Sequence, residues 1–223
     1  MTDFNASQDD YFNSRLEYDR KREVLWRTLC DAFFSDLVAD SDCVMELGAG
    51  WCDFINSIRA SRRVAVDLWH GITDHAAPGV ETHVTSVTDL SFAEAESVDV
   101  IFASNLVEHL DRGSFVTMLA ECARILAPGG RLVLLQPNYR LCSSRYFDDF
   151  THVAIWSDVS LADFLESRGW RLERVHPRFL PLSVKSRLPV VPLFIRAYLR
   201  SPIKPLAGQM LLVARPLSVG EHR

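Results

Sequence analysis

Residues 44–54 read VMELGAGWCDF. An apolar run carries Glu46, meets Gly48 and Gly50 two residues apart, and turns apolar again at Trp51 and Phe54. A strand that passes through a glycine loop into a helix is the usual cradle for a nucleotide-like ligand. A phosphate loop needs GxxxxGK[ST], and the chain has no such run. A dinucleotide loop needs GxGxxG, but GAGWCD puts Asp53 at the third glycine, where a helix N-terminus should face pyrophosphate. With Glu46 just ahead of the loop, Asp53 would surround a pyrophosphate with negative charge. An NAD-dependent oxidoreductase is therefore the weaker alternative, and a ligand with a cationic end and no phosphate fits better.

Outward from this loop, short apolar runs alternate with helical patterns. CVMEL (43–47), RVAVDL (63–68), ETHVTS (81–86), VDVIFAS (98–104) and RLVLLQP (131–137, after the Pro128-Gly129-Gly130 turn) read as strands. DFINSIRA, SFVTMLAECARIL and SLADFLESRGW (160–170) read as helices, and residues 8–38 have helical spacing. This alternation predicts βαβ units and a doubly wound, mostly parallel sheet. Ligands of such sheets bind beyond the carboxyl ends of the strands, where the Gly48–Gly50 loop falls. RLERVHPRFL and GQMLLVARP (208–216) read as two last strands, separated by a proline-punctuated insertion over 181–205. They are expected to pair antiparallel at the sheet edge.

The 223 residues suffice for one domain with a substantial core, and 48% hydrophobic with 24% charged residues is ordinary for a globular chain. A net charge of −5 gives no reason to expect nucleic acid. Cys30, Cys43, Cys52, Cys122 and Cys142 include no CxxC pair and read as reduced thiols. The charged first 25 residues lack an apolar signal core, and no run reaches the ~20 apolar residues of a membrane span, so a cytoplasmic location is expected. Between Arg174 and Gly220 there is no Asp or Glu, although Arg174, Arg178, Lys185, Arg187, Arg196, Arg200, Lys204 and Arg215 fall there. That asymmetry points to a C-terminal face that meets something anionic.

Taken together, VMELGAGWCDF, VAVDLW, VDVIFASNLVEHL and ILAPGGRLVLLQP resemble, in order and spacing, the class I S-adenosylmethionine-dependent methyltransferases. The resemblance covers roughly residues 42–216. It implies a Rossmann-like α/β fold with a seven-stranded sheet and an antiparallel last strand. Around it the division is an N-terminal helical cap (1–41), a methyltransferase domain (42–216, insertion 181–205) and a tail (217–223). It also implies S-adenosylmethionine as cofactor. Glu46 then faces the cofactor's amino group, Gly48, Ala49 and Gly50 bring backbone to its methionine part, and Asp67 accepts the ribose hydroxyls. Leu68 packs on the adenine, and Asn105 lies near the methionine end. The chain departs from the family pattern at the adenine amino group, where Ser86 stands in place of an Asp. Ser86 and the Val87 N–H remain as partners there, with Asp89 three residues on.

Relatives that methylate small molecules often carry an acid and a Thr-His pair in the loop that is YFDDFTHVAIWSD here. By that resemblance Asp149 and His152 are the catalytic pair, with His152 of suitable pKa for a general base near neutrality. The plainer reading makes His152 a half-buried structural residue. Glu108 and His109 read either as site residues or as a helix start. Tyr11, His109 and Tyr146 are the expected acceptor contacts, and no metal is expected. In LPVVPLFIRAYLR, Leu188, Val191, Ile195, Tyr198 and Leu199 follow helical spacing, while Arg196, Arg200 and Lys204 recur every four residues on another face. Such a helix covers the domain, meets an anionic membrane or lipid phosphate through 184–205, or serves dimerisation. The expected activity is methyl transfer to an oxygen of a small molecule or a lipid-linked saccharide of the cell-surface kind. The alternative is a non-catalytic cofactor-binding module that docks at a membrane. Oligomeric state is not readable.

Overall fold

The computed structural model describes residues 20–181 and 190–217. Tyr11, residues 1–19 of the expected cap, Lys185, Arg187 and Leu188 of the insertion, and the tail beyond Leu217 lie outside the described residues.

Seven strands form one sheet: β1 (Cys43–Leu47), β2 (Arg62–Asp67), β3 (Val80–Val84), β4 (Val98–Ser104), β5 (Leu126–Pro137), β6 (Trp170–Pro181) and β7 (Ala207–Pro216). Their order is β3-β2-β1-β4-β5-β7-β6. The first five run parallel, and β7 is antiparallel to both β5 and β6. It follows that β6, at the edge, runs parallel to β5, so its last residues share the ligand-facing edge of the sheet. The helices are α1 (Arg20–Ala32), α2 (Asp53–Ser57), α3 (Ile72–His75), α4 (Arg112–Ile125), α5 (Tyr139–Cys142), α6 (Asp158–Ser167) and α7 (Pro192–Arg200). The Pro128-Gly129-Gly130 turn does not precede a strand but lies inside β5, taken up where the β4–β5 register jumps between Val98 and Val100.

Strand residues alternate between two cores because successive side chains point to opposite faces. Met45, Leu47, Val66, Ile101 and Leu134 pack with Phe115, Met118 and Cys122 of α4 and Leu161 and Leu165 of α6. Val44, Ala65, Phe102, Leu135 and Leu211 pack with Trp26 and Leu29 of α1, Phe54 and Ile55 of α2, and Ile195 of α7. Phe54 stacks on Phe102 with centroids 3.8 Å apart. Each large side chain buried in this way contributes about 1.5–3 kcal/mol. Local signals set the helix starts: Asp111 caps α4 by accepting from the N–H groups of Gly113 (2.8 Å) and Ser114 (3.0 Å), and Ser157 and Ser160 form a capping box on α6.

The order places β1 and β4 side by side, with β2 and β3 on one flank and β5 on the other. The chain reverses its direction of travel between them, so a ligand crevice is expected beyond Leu47 and Ser104. Among the described residues, no helix is long and apolar enough to cross a membrane.

Candidate active site

The loop after β1 is drawn tight by its own backbone. Gly48 and Ala49 donate their N–H groups to the carbonyl of Val66 (2.9 and 3.1 Å), and Gly48 and Gly50 adopt φ of +68° and +49°. A Cβ on Gly48 would lie 3.0 Å from Leu106 of the loop after β4, so glycine satisfies both the backbone and the close approach of the two loops. Across them, Asn105 at φ +49° accepts from Gln209 at the start of β7 (2.7 Å). Buried Gln136 holds the same loop by accepting from the Leu106 N–H (3.1 Å) and donating to the Ala103 carbonyl (3.2 Å).

Three carboxylates surround the glycine loop. Glu46 is buried, and its Oε2 accepts from the Ile55 N–H at 3.0 Å. Burial pushes its carboxyl well above the ordinary range, the Ile55 N–H opposes this, and the charges of Asp53 and Asp67 add to it. Asp67 accepts from the Gly50 N–H through Oδ2 (2.8 Å) and from the Trp69 N–H through Oδ1 (2.9 Å), tying the β1 loop to the end of β2. Burial raises its carboxyl too, against those N–H groups. Asp53 receives Arg22 of α1 in a 2.7 Å ion pair. The aspartate at the third glycine position thus fastens the N-terminal helix over the loop. That pair spans 31 residues, and no local sequence signal announces it. Arg22 offsets Asp53, which leaves Glu46 and Asp67 to meet a ligand; a cationic group there favours the ionised form of both raised carboxyls, whereas a pyrophosphate would be opposed.

Leu68, 41% exposed, offers open apolar surface beside Asp67. At the expected adenine end, Ser86 Oγ lies 2.7 Å from Thr88 Oγ1 and accepts the Thr88 N–H (3.2 Å), so its hydroxyl is already engaged. Val87 is buried, and exposed Asp89 turns to the Ser91 N–H at 3.2 Å.

The second group of site residues comes from the 3₁₀ turn Val107–His109 after β4 and the loop that follows the 3₁₀ stretch Ser143–Asp148. The two are stitched together where the Glu108 carbonyl accepts the N–H groups of Val153 (2.9 Å) and Ala154 (3.0 Å). His109 and His152 stand with ring centroids 4.9 Å apart. Asp149 Oδ1 accepts from the Thr151 N–H (3.0 Å) and hydroxyl (2.5 Å), and Thr151 Oγ1 lies 3.0 Å from His109 Nδ1. These bonds belong to the tight 149–151 turn, in which the Asp side chain closes on the residue two ahead. Burial lowers both imidazoles, against the charge of Asp149 in each case. Tyr146 is turned into the core: it is 1% exposed and its hydroxyl donates to the Ala154 carbonyl at 2.6 Å. Its ring lies 4.6 Å from that of His152, so it supports the histidine rather than presenting a hydroxyl to an acceptor. Glu108, which reads equally as a helix start in the sequence, is 1% exposed with no hydrogen-bond partner on either oxygen, and burial pushes its carboxyl up to about 8.

Residues 45–134 match the family model described as "Methyltransferase domain". A protein of Mycolicibacterium smegmatis named as a probable S-adenosylmethionine-dependent methyltransferase is 29% identical over 161 residues, 69% of this chain and 59% of that protein. The chain therefore spans about three fifths of the length of that curated relative. A methyltransferase of Archaeoglobus fulgidus superposes with a TM-score of 0.65 at 18% identity over 95% of this chain and 99% of its own. Geranyl diphosphate methyltransferase, solved with S-adenosylmethionine, gives 0.60 at 15% over 87% and 85%. At such identities the structural likeness speaks for the fold.

Proposed function

We propose that this chain, a class I S-adenosylmethionine-dependent methyltransferase domain, transfers the cofactor's methyl group to an oxygen of a small molecule or of a lipid-linked saccharide. The observation that carries the reading is the glycine loop set among Glu46, Asp53 and Asp67 with Arg22 as their neighbour, a cradle whose charge fits a ligand bearing an ammonium and a sulfonium. When bound, S-adenosylmethionine supplies an electrophilic methyl group and is left as the neutral thioether. In this reading Glu46 attracts the amino group, Gly48, Ala49 and Gly50 admit the methionine part, and Asp67 accepts from the ribose. Leu68 lies against the adenine, Ser86 and Val87 flank its edge, and Asn105 closes the methionine end. His152, in the field of Asp149, takes the hydroxyl proton of the acceptor, and His109 lines the acceptor side.

Two features support an acceptor attached to a lipid. Phe147, Phe150, Val153 and Ile155 stand exposed on the loop that carries Asp149 and His152. On the other face of the sheet, beside α1 and α7, a cavity of about 530 Å³ is lined by Phe33, His176, Arg178, Phe179 and Lys204. The exposed apolar loop suits an acceptor with an apolar tail, and the basic cavity suits an anionic group. The test is transfer of labelled methyl from S-adenosylmethionine to a panel of free sugars, phenols and polyprenyl-phosphate-linked glycans. Label in an alkali-stable ether of a panel member is the expected result, with the lipid-linked glycans preferred over the free sugars. Label only on nitrogen or carbon, or none on any acceptor despite bound cofactor, overturns the reading.

A further inference from the structure

The Glu108–His109–His152 group contains buried polar atoms that the fold leaves unserved. Both oxygens of Glu108 and Nδ1 of His152 are buried without a hydrogen-bond partner. Native structures rarely leave buried polar side-chain atoms in that condition, because a buried group without a hydrogen-bond partner costs free energy even when it is neutral. One ligand atom from each of Glu108, His109 and His152 falls within 4.8 Å of the other two.

The hydrogen bonds behind His109 fix its tautomer. Thr151 Oγ1 has one proton and spends it on Asp149 Oδ1 at 2.5 Å. Toward His109 Nδ1, 3.0 Å away, the same hydroxyl must then accept, and the Thr151 carbonyl at 3.3 Å can only accept. Nδ1 therefore carries the proton, and the lone pair of Nε2 points away from this support. A carboxylate–hydroxyl–imidazole chain that fixes the proton on one ring nitrogen, leaving the other as the basic one, is how proteins orient a metal-binding histidine.

We propose that Glu108, His109 and His152 bind one divalent transition-metal cation. Two imidazole nitrogens of half-buried histidines and one oxygen of a buried carboxyl form a donor set for Zn²⁺, Co²⁺ or Mn²⁺, whereas Mg²⁺ and Ca²⁺ call for more oxygen ligands. Three protein ligands leave a coordination position for an acceptor hydroxyl or water. The role of the cation rests on the oxygen-acceptor reading above: coordination would lower the hydroxyl's own pKa, with His152 then a ligand rather than a free base.

The experiment titrates Zn²⁺ into chelator-treated protein by calorimetry and records the visible spectrum of the Co²⁺ form, for the parent, Glu108→Gln and His152→Ala. S-adenosylmethionine is titrated into each preparation as the measure of an intact domain and of the cofactor reading. The expected result is one Zn²⁺ per parent chain, weakened roughly tenfold or more by each substitution, with cofactor affinity retained. The parent's Co²⁺ spectrum should show nitrogen and oxygen ligation. Failure of the parent to bind one Zn²⁺, equal binding by both variants, or a sulfur-to-cobalt charge-transfer band from the cysteines overturns the metal site. The cofactor titration reports separately on the methyltransferase reading.

Discussion

Asp67 shows how one residue joins structure to function. Its two oxygens already hold the N–H groups of Gly50 and Trp69, so it fixes the loop that it is also proposed to help bind the ribose from. Each oxygen keeps a further lone pair, so accepting from a hydroxyl requires no rearrangement. Replacing Asp67 with Ala removes a charged acceptor and frees two backbone donors. S-adenosylmethionine affinity measured by calorimetry is expected to fall by about 1–3 kcal/mol, and an unchanged affinity removes Asp67 from the site. At this scale the sequence was informative where a residue's role follows from its distance to a strand end, as with Glu46, Gly48 and Asp67. Roles that arise from partners remote in sequence were hidden. Asp53 is silent until Arg22 folds over it, and nothing in VEHL distinguishes an exposed helix start from a Glu108 sealed under the 151–154 loop. The same holds for Asp149, whose side chain serves Thr151 and through it His109.

Among the elements, α7 carries the most open question. Ile195, Tyr198 and Leu199 face the core beside α1, and Arg196 lies 3.8 Å from Asp31, so the helix covers the domain, as one of the sequence readings expected. Leu193 and Phe194 nevertheless stand 70% and 56% exposed, with Ile203 and Leu206 exposed just beyond the helix. Apolar side chains that flank Arg196 and Arg200 are the composition of a surface-seeking helix. Arg196→Glu combined with Arg200→Glu is expected to weaken binding to vesicles containing anionic lipid by about 2 kcal/mol, roughly thirtyfold, from about 1 kcal/mol per basic residue. Absence of parent binding at low salt refutes membrane contact. Elements as such were legible because periodicity is local: CVMEL and VDVIFAS are β1 and β4 to the residue. The Pro128-Gly129-Gly130 turn was misplaced, because pairing with β4 carries β5 through it, and pairing is not a local property.

For the whole molecule, alternation of strand and helix specified a doubly wound sheet, but it did not specify the order β3-β2-β1-β4-β5-β7-β6. That order depends on which edges the strands bury against; the resemblance implied seven strands with the last antiparallel, and the order itself comes from the structure. It places the β1 and β4 loops together, and Leu106 against Gly48 is where they meet. The central claim is that this crevice holds S-adenosylmethionine, with its positive charge facing Glu46 and Asp67. Calorimetric titration of the purified chain with S-adenosylmethionine and, separately, with NAD tests it most directly. One S-adenosylmethionine bound per chain, with no heat from NAD, is the predicted result. Binding of NAD, or of neither ligand, contradicts the account.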